Sequence, residues 1–340
     1  MEAYPKCKEE FLIMAFVNKF EFAPAQWLPL QDREMLDEVG WKNIADYQGN
    51  VYENPDFRVK LEIDVHVNFA IDLYQRIRLS DQKDEKLVVI LPSPENAVFL
   101  SVVENLNKFR VSCRNVHVFF LYEYANEKGE VAPWESPYSR AGHFMRYFYN
   151  RLDADLRMPM DQIHFWTKEN TETYSDLIAA EGGADVAYTA LSWSGGLGAI
   201  DAETFPAETM EEFMAMGSRY VKPMPEMLAH DSLRGMFGCS GDIANVPPYA
   251  VTVGPKDIAA AKARVHVQYL FACGGSPAHQ KFPLKLALFG PVCPQNPGSM
   301  MRLLSGVCYI ANEVAAPGRY DPDEDWLAEE IEKIRKQEEG

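Results

Sequence analysis

The sequence has little of what marks a metalloprotein or a membrane protein. Its six cysteines and seven histidines are scattered through 340 residues, and it contains neither a C-x-x-C nor an H-x-x-x-H pair. Because zinc sites are commonly built on such spacings, we expect no metal ion. The apolar runs are far shorter than the roughly 18 residues that a membrane-spanning helix needs. We therefore expect a cytoplasmic protein without a membrane partner.

Basic residues are also scarce. The chain has 33 lysines and arginines against 50 aspartates and glutamates, which gives a formal net charge of −17. Such a charge repels polyanions, and no local basic patch offsets it. We therefore expect no nucleic-acid partner. A small-molecule ligand is the expectation that remains, and self-association into a homo-oligomer stays open.

The chain divides by pattern, since it contains no internal repeat and no low-complexity linker. Residues 1–57 are irregular and rich in aromatic side chains, which predicts an N-terminal appendage packed on the main body. From Leu61 onward, apolar residues recur every four positions as far as Ile77, the spacing of one face of an amphipathic helix. Residues 58–340 are therefore predicted to form the main domain.

Strand patterns alternate with helix patterns through this domain. The predicted strands are Lys86–Leu91, Val116–Leu121, Asp185–Ser192, Tyr249–Gly254, Val265–Ala272 and Gly306–Ala311. Lys86–Leu91 is almost wholly apolar, as expected of a strand buried on both faces of a parallel sheet. The alternation predicts an α/β fold of the Rossmann-like type, with a mostly parallel sheet and helices on both faces.

Ligands of open parallel sheets bind beyond the carboxyl ends of the strands. Glu123 follows Val116–Leu121 between two tyrosines that could raise its pKa, although a solvated loop acid is the competing interpretation. The loop 192–198 contains Ser194, Gly195 and Gly196, whose backbone N–H groups could approach an anion or carbonyl oxygen. A tight structural turn explains the same glycines.

Five basic residues stand out in so acidic a chain: Arg219, Lys222, His230, Arg234 and Lys281. Together they could hold a phosphate group, although each taken alone is typical of a solvated surface charge.

The order of these segments resembles the glucosamine-6-phosphate deaminase/isomerase family, whose superfamily includes 6-phosphogluconolactonases. The resemblance spans about residues 60–315 and rests chiefly on His230-Asp231-Ser232 followed by Asn245–Gly254, an N-V-P-P-Y-A-V-T-V-G run. It implies an aldose–ketose isomerisation by general acid–base catalysis, no redox cofactor, and a sugar held through its phosphate. It places Lys222, Arg234 and Lys281, with Arg219 nearby, among the phosphate ligands.

The chain departs from the family pattern at three strand ends. The family's Asp-Glu-Tyr is Tyr122-Glu123-Tyr124 here, and a tyrosine of pKa near 10 is a poor base at neutral pH. The glycine loop at 192–198 lacks the family's Asp and His. The phosphate loop, Thr-Gly-Gly-Thr-Pro in the family, begins here at Ser93 and contains no glycine. Glu203 matches a later family Glu in one register.

Three functions follow from the resemblance. The first is an isomerase or deaminase of an aminosugar phosphate, with Glu123, Tyr122 and Glu203 at the catalytic positions and Ser93 and the glycine loop contacting the sugar. The second is a member that has lost catalysis and binds a sugar phosphate or a partner protein. The third is a 6-phosphogluconolactonase-like hydrolase, which in the family needs the same Asp-Gly-His.

Overall fold

The computed structural model describes residues 22–47, 52–233, 237, 240–268, 280–315 and 336. The candidate phosphate ligand Arg234 and the first 21 residues of the expected appendage lie outside this part of the chain. None of the helices that the structure describes is long and apolar enough to cross a lipid bilayer.

A seven-stranded sheet forms the centre of the described chain. Its strands are β1 Phe57–Glu62, β2 Leu87–Leu91, β3 Val116–Phe120, β5 Ile163–His164, β6 Val186–Thr189, β9 Ala263–Gln268 and β10 Gly306–Ala311. Their order across the sheet is β1-β10-β9-β6-β2-β3-β5, and every neighbouring pair is parallel. The predicted α/β fold with a mostly parallel sheet is confirmed.

Helices connect the strands, as parallel neighbours require. They are α1 Arg33–Trp41, α2 Val65–Lys83, α3 Asn96–Phe109, α4 Arg140–Tyr147, α5 Tyr174–Ala180, α6 Met210–Met214, α7 Pro225–Ser232, α8 Pro255–Ala260, α9 Lys281–Phe289 and α10 Asn312–Ala315. The side chains of Phe69, Leu73 and Ile77, spaced four apart on α2, are buried. All five residues of β2 are buried as well, so this part of the core follows the periodicity of the sequence.

The structure differs from the sequence prediction at the start of the main domain. Leu61 belongs to β1, which pairs with β10, and the helix begins only at Val65. Asp64 sets this boundary because its carboxylate accepts hydrogen bonds from the backbone N–H groups of His66 and Val67. Such a side chain satisfies two of the N–H groups that a helix start leaves without partners.

A second, three-stranded sheet is antiparallel. Its strands are β4 Tyr122–Ala125, β7 Arg219–Val221 and β8 Tyr249–Thr252, in the order β4-β8-β7. Tyr249–Gly254 was expected in the parallel sheet, but β8 instead pairs with β4 and β7. Because β4 follows directly on β3, this small sheet carries the chain beyond the carboxyl end of β3, where a ligand site is expected.

Residues before β1 contact the main body. Lys285 on α9 donates from its Nζ to the carbonyl oxygen of Gly40 on α1 at 3.2 Å. The rings of Tyr47 and Phe289 lie 4.6 Å apart. These contacts attach the described part of the first 57 residues to the helix α9.

The buried His266 on β9 predicts a pH-dependent stability. Burial, together with the nearby charge of Arg264, lowers the pKa of His266 from 6.5 to about 3. The unfolded chain therefore binds one more proton than the folded protein between these two values. The free energy of unfolding should fall as the pH falls through this window, with His266 contributing about 1.4 kcal/mol per pH unit.

Urea unfolding at several pH values between 7 and 4 measures this contribution. Carboxylates titrate in the same range, so the comparison is with His266→Asn, which retains a polar group towards Thr189, whose Oγ1 lies 2.6 Å from His266 Nδ1. We expect a shallower pH dependence in the variant. Equal slopes for the two proteins would contradict the assignment.

Candidate functional site

A small cavity lies beyond the carboxyl ends of four parallel strands. Its wall includes Pro92–Pro94 after β2, Leu121 and Tyr122 after β3, Ala190–Ser192 after β6, and Val267 of β9. Helix α7 completes the wall with Met227, His230 and Asp231. The volume of about 40 Å³ holds about three water molecules at roughly 10–15 Å³ each. A ligand of sugar size therefore requires the lining side chains to move apart.

An ion pair is buried in the wall of this cavity. Arg140 Nη2 lies 2.7 Å from Asp231 Oδ2, and the two side chains are only 3% and 2% exposed. Tyr124 joins the pair, since its hydroxyl accepts from Arg140 and donates to Asp231, each at 2.8 Å. Burial opposes the charge of Arg140, but Asp231 acting together with Tyr122, Tyr124 and Glu123 outweighs burial, and the pKa of the guanidinium is raised. The cavity thus has a fixed positive group with its counter-ion beside it.

The alternation of side chains along β4 determines which of the expected residues face this ion pair. Side chains alternate along a strand, so Tyr122 and Tyr124 lie on one side and Glu123 on the other. The guanidinium carbon of Arg140 lies 3.7 Å from the ring centroid of Tyr122 and 4.7 Å from that of Tyr124. Tyr122, where the family has its Asp, therefore lines the cavity and packs against Arg140.

Glu123 does not line the cavity. Its side chain is 1% exposed and points to the start of α4, where Oε1 accepts from the N–H groups of Tyr124 and Arg140. Its other oxygen, Oε2, accepts from Ser139 Oγ and the N–H of Ala141. Burial raises the pKa of Glu123, and these four hydrogen bonds oppose the rise. The carboxylate satisfies and stabilises a helix N-terminus.

The glycine loop forms a tight turn whose ends reach the cavity. Gly195 has φ +75°, and a Cβ on Gly196 would lie 2.0 Å from the carbonyl oxygen of Ile200. The backbone of Leu191 is held by two glutamines, since its N–H donates to Gln268 Oε1 and its carbonyl accepts from Gln280 Nε2. Among the loop residues, Ser192 and Gly198 line the cavity. Ser194 contacts Ser192, with the two Oγ atoms 2.7 Å apart.

Two histidines line the cavity. His230 on α7 is 5% exposed, and its ring stacks on that of Trp193 with 5.5 Å between centroids and 8° between planes. His66 lies at the start of α2, and burial lowers its pKa while the charges of Asp64 and Glu95 act in the opposite direction. An imidazole is a suitable general acid or base near neutral pH.

The remaining expected residues are dispersed. Ser93 lines the cavity, whereas Arg219 packs over the ring of Phe205, with 4.4 Å from its guanidinium carbon to the centroid. Glu203, Lys222 and Lys281 are also not part of the cavity wall; Glu203 and Lys222 are exposed, and Lys281 is half-buried at the start of α9. The structure thus brings Ser93 and Tyr122 together and leaves the expected phosphate ligands Arg219, Lys222 and Lys281 outside the wall.

Sequence reasoning did not place Arg140 and Asp231 at the site, and it grouped His230 with the candidate phosphate-binding residues rather than with a catalytic base. Arg140 follows no strand directly, and its only sequence signal is a charge at the start of the helix Arg140–Tyr147. His230 and Asp231 form part of the family-like His-Asp-Ser stretch, yet no spacing rule connects residue 140 with residue 231. Their proximity arises from the packing of α4 and α7 on the small sheet.

The fold is shared with sugar-phosphate enzymes of known structure. A monomeric glucosamine-6-phosphate deaminase, described as a missing link of the NagB superfamily, aligns with 77% of this chain and 99% of its own, with a TM-score of 0.61 and 15% identity. The 6-phosphogluconolactonase of Trypanosoma cruzi aligns with 78% of this chain and 97% of its own, with a TM-score of 0.53 and 15% identity.

The 6-phosphogluconolactonase of Thermotoga maritima is similar to the same extent. It aligns with 75% of this chain and 99% of its own, with a TM-score of 0.52 and 14% identity. No family model matches the sequence. At these identities the likeness establishes the fold alone, which this chain shares with those glucosamine-6-phosphate deaminase and 6-phosphogluconolactonase structures.

The position of Glu123 predicts a loss of stability when its charge is removed. In Glu123→Gln one acceptor oxygen becomes an NH₂ group that faces N–H and O–H donors, so at least one buried donor loses its partner. We expect the free energy of unfolding to fall by about 1–3 kcal/mol, measured by urea unfolding.

Glu127→Gln is the matched control, because Glu127 follows the same strand and is exposed. It should change the stability by less than about 0.5 kcal/mol. A Glu123→Gln protein of unchanged stability that loses a measured activity would instead place this carboxylate in the chemistry.

Proposed function

We propose that this chain hydrolyses a lactone of a phosphorylated sugar in the cavity beyond β2, β3, β6 and β9. The observation that carries the proposal is a buried imidazole, that of His230, in the wall of the same cavity as the fixed guanidinium of Arg140. Ester hydrolysis needs a base for the attacking water and a positive group for the developing oxyanion. These two side chains supply both requirements.

The proposed step begins with His230 taking a proton from water as the water oxygen attacks the lactone carbonyl carbon. Arg140 stabilises the resulting oxyanion through its charge. The bond between this carbon and the ring oxygen then breaks, and the proton passes from His230 to the leaving ring oxygen. The product is the open-chain sugar acid, and His230 returns to its neutral form.

Isomerisation of an aldose to a ketose fits these residues less well. That reaction requires a base at C2, and the strand-end position of the family base is occupied here by Tyr122, a weak base near neutral pH. Glu123, the neighbouring acid, faces away from the cavity and accepts four hydrogen bonds. Structures of 6-phosphogluconolactonases share this fold, as does a glucosamine-6-phosphate deaminase, so the fold is compatible with hydrolysis as the alternative.

Recognition of the phosphate is a separate part of the proposal. Arg219, Lys222, Arg234 and Lys281 are the candidates that the sequence supplies, and the described ones lie outside the wall of the cavity. A sugar lactone with its reacting carbonyl beside Arg140 would extend its phosphate out of the cavity. We therefore place phosphate recognition among these outer cations rather than at Arg140, beside which the proposed step places the lactone carbonyl.

Binding without turnover is the second candidate, and the absence of the family's Asp and His at Tyr122 and in the loop 192–198 favours it. A volume of about 40 Å³ is far below the roughly 300–1,000 Å³ typical of ligand pockets. The cavity must therefore open before a sugar phosphate enters. A protein that opens to bind, but lacks the family's Asp and His, would retain affinity and lose the reaction.

A lactonase assay with His230→Gln tests the first proposal. We expect the purified chain to hydrolyse 6-phosphogluconolactone faster than the spontaneous reaction, and His230→Gln to lose roughly 10²–10⁴-fold of this activity. His143→Gln makes the same chemical change on α4, outside the cavity wall, and should retain the rate. Melting temperatures confirm that each variant is folded.

Other outcomes of the same experiment decide between the candidates. A His230→Gln protein that retains the full rate would refute the assigned base. Conversion of glucosamine 6-phosphate without lactone hydrolysis would support isomerisation. If either sugar phosphate raises the melting temperature of the wild-type chain and neither is consumed, binding without turnover is the function.

A further inference from the structure

Two histidines and one glutamate meet at the end of the sheet opposite the cavity. His117 lies on β3, His164 on β5, and Glu181 directly follows α5. The cavity begins at Leu121, four residues beyond His117 along β3, which corresponds to about 13 Å at roughly 3.3 Å per residue. This His-His-Glu cluster is therefore separate from the proposed active site.

The spacing of the three side chains matches that of metal ligands. His117 Nδ1 lies 3.3 Å from His164 Nε2 and 3.3 Å from Glu181 Oε2. The three potential ligand atoms all lie within 4.8 Å of one another. Bonds of about 2.0–2.1 Å in a tetrahedral zinc site place neighbouring ligand atoms roughly 3.3 Å apart. One ion could therefore contact all three side chains with small adjustments.

Packing fixes the orientation of the imidazoles. The ring of His164 stacks on Phe119 with 4.0 Å between centroids and 7° between planes. The ring of His117 lies nearly parallel to that of His164, at 21° and 5.6 Å. The cluster remains open to solvent, with 13% of the His117 side chain and 24% of the Glu181 side chain exposed. Water can thus reach a fourth coordination position.

Most of the groups around the cluster favour a bound cation. Burial lowers the pKa of both imidazoles, which favours their neutral, metal-binding form. Asp161 adds a negative charge near both rings. Lys86 opposes a metal ion, because its Nζ lies 2.7 Å from Glu181 Oε2. Its side chain is 49% exposed, so it can turn into solvent when an ion binds.

We propose that His117, His164 and Glu181 bind a divalent transition-metal ion of the zinc class, with water as the fourth ligand. Two imidazoles and a carboxylate are ligands that such ions accept. The sequence did not reveal this site, since His117 and His164 are 47 residues apart and meet only because β3 pairs with β5. The proposal does not depend on the lactonase reaction.

Direct metal binding to the untagged full chain tests this site. After treatment with a chelator and its removal, the protein is titrated with ZnCl₂ by calorimetry and with Co²⁺, whose visible absorption distinguishes four-coordinate from six-coordinate binding. We expect one equivalent of Zn²⁺ to bind and Co²⁺ to give a four-coordinate spectrum. His164→Ala should weaken Zn²⁺ binding by tenfold or more, because outer ligand partners alone contribute roughly 10–100-fold.

Two further variants make the result specific. The double variant His117→Ala/His164→Ala should lose one equivalent of Zn²⁺, while Lys86→Ala should bind as tightly as the wild type or more tightly. Cys7, Cys239, Cys273 and His279 lie outside the described residues, and binding by them would persist in the double variant. An unchanged stoichiometry in a folded double variant, or no Zn²⁺ binding to the wild type, would overturn the proposal.

Discussion

The parallel direction of the seven central strands is the constraint from which the chemistry of this protein follows. In a parallel sheet all the carboxyl ends of the strands lie at one end of the sheet and all the amino ends at the other. The cavity lies at the carboxyl ends, beyond β2, β3, β6 and β9. The His-His-Glu cluster lies toward the amino ends, on β3, β5 and the end of α5. Two groups of polar side chains are thus kept apart by the length of the strands between them.

Burial of the Arg140–Asp231 ion pair is the main electrostatic cost at the carboxyl ends of the strands. Removing both charges from water costs several kcal/mol per ion, and their attraction recovers this only with good geometry and further hydrogen bonds. Tyr124 provides such bonds, and the rings of Tyr122 and Tyr124 cover the guanidinium. Buried pairs of this kind stabilise a fold little better than apolar residues would. Apolar residues in place of this pair would leave no charged group beside the cavity.

The location of the candidate site could be predicted from the sequence, but which residues form it could not. The order of strands and helices identified the segments after β2, β3 and β6, and Ser93 and Tyr122 lie in the wall of the cavity. The sequence did not reveal which neighbour on β4 faces inward. The one-residue alternation of a strand separates Tyr122 from Glu123, and only the position of α4 shows that Glu123 accepts hydrogen bonds from a helix start.

The sequence by itself determined the fold class, since apolar runs and four-residue periodicities report local burial, as in β2 and α2. It did not determine that β8 joins an antiparallel sheet or that β1 pairs with β10. Strand partners and buried pairs such as Arg140 with Asp231 join residues far apart in the chain. Only tertiary packing decided them, because the local sequence pattern indicates whether a side chain is buried but not which residues it packs against.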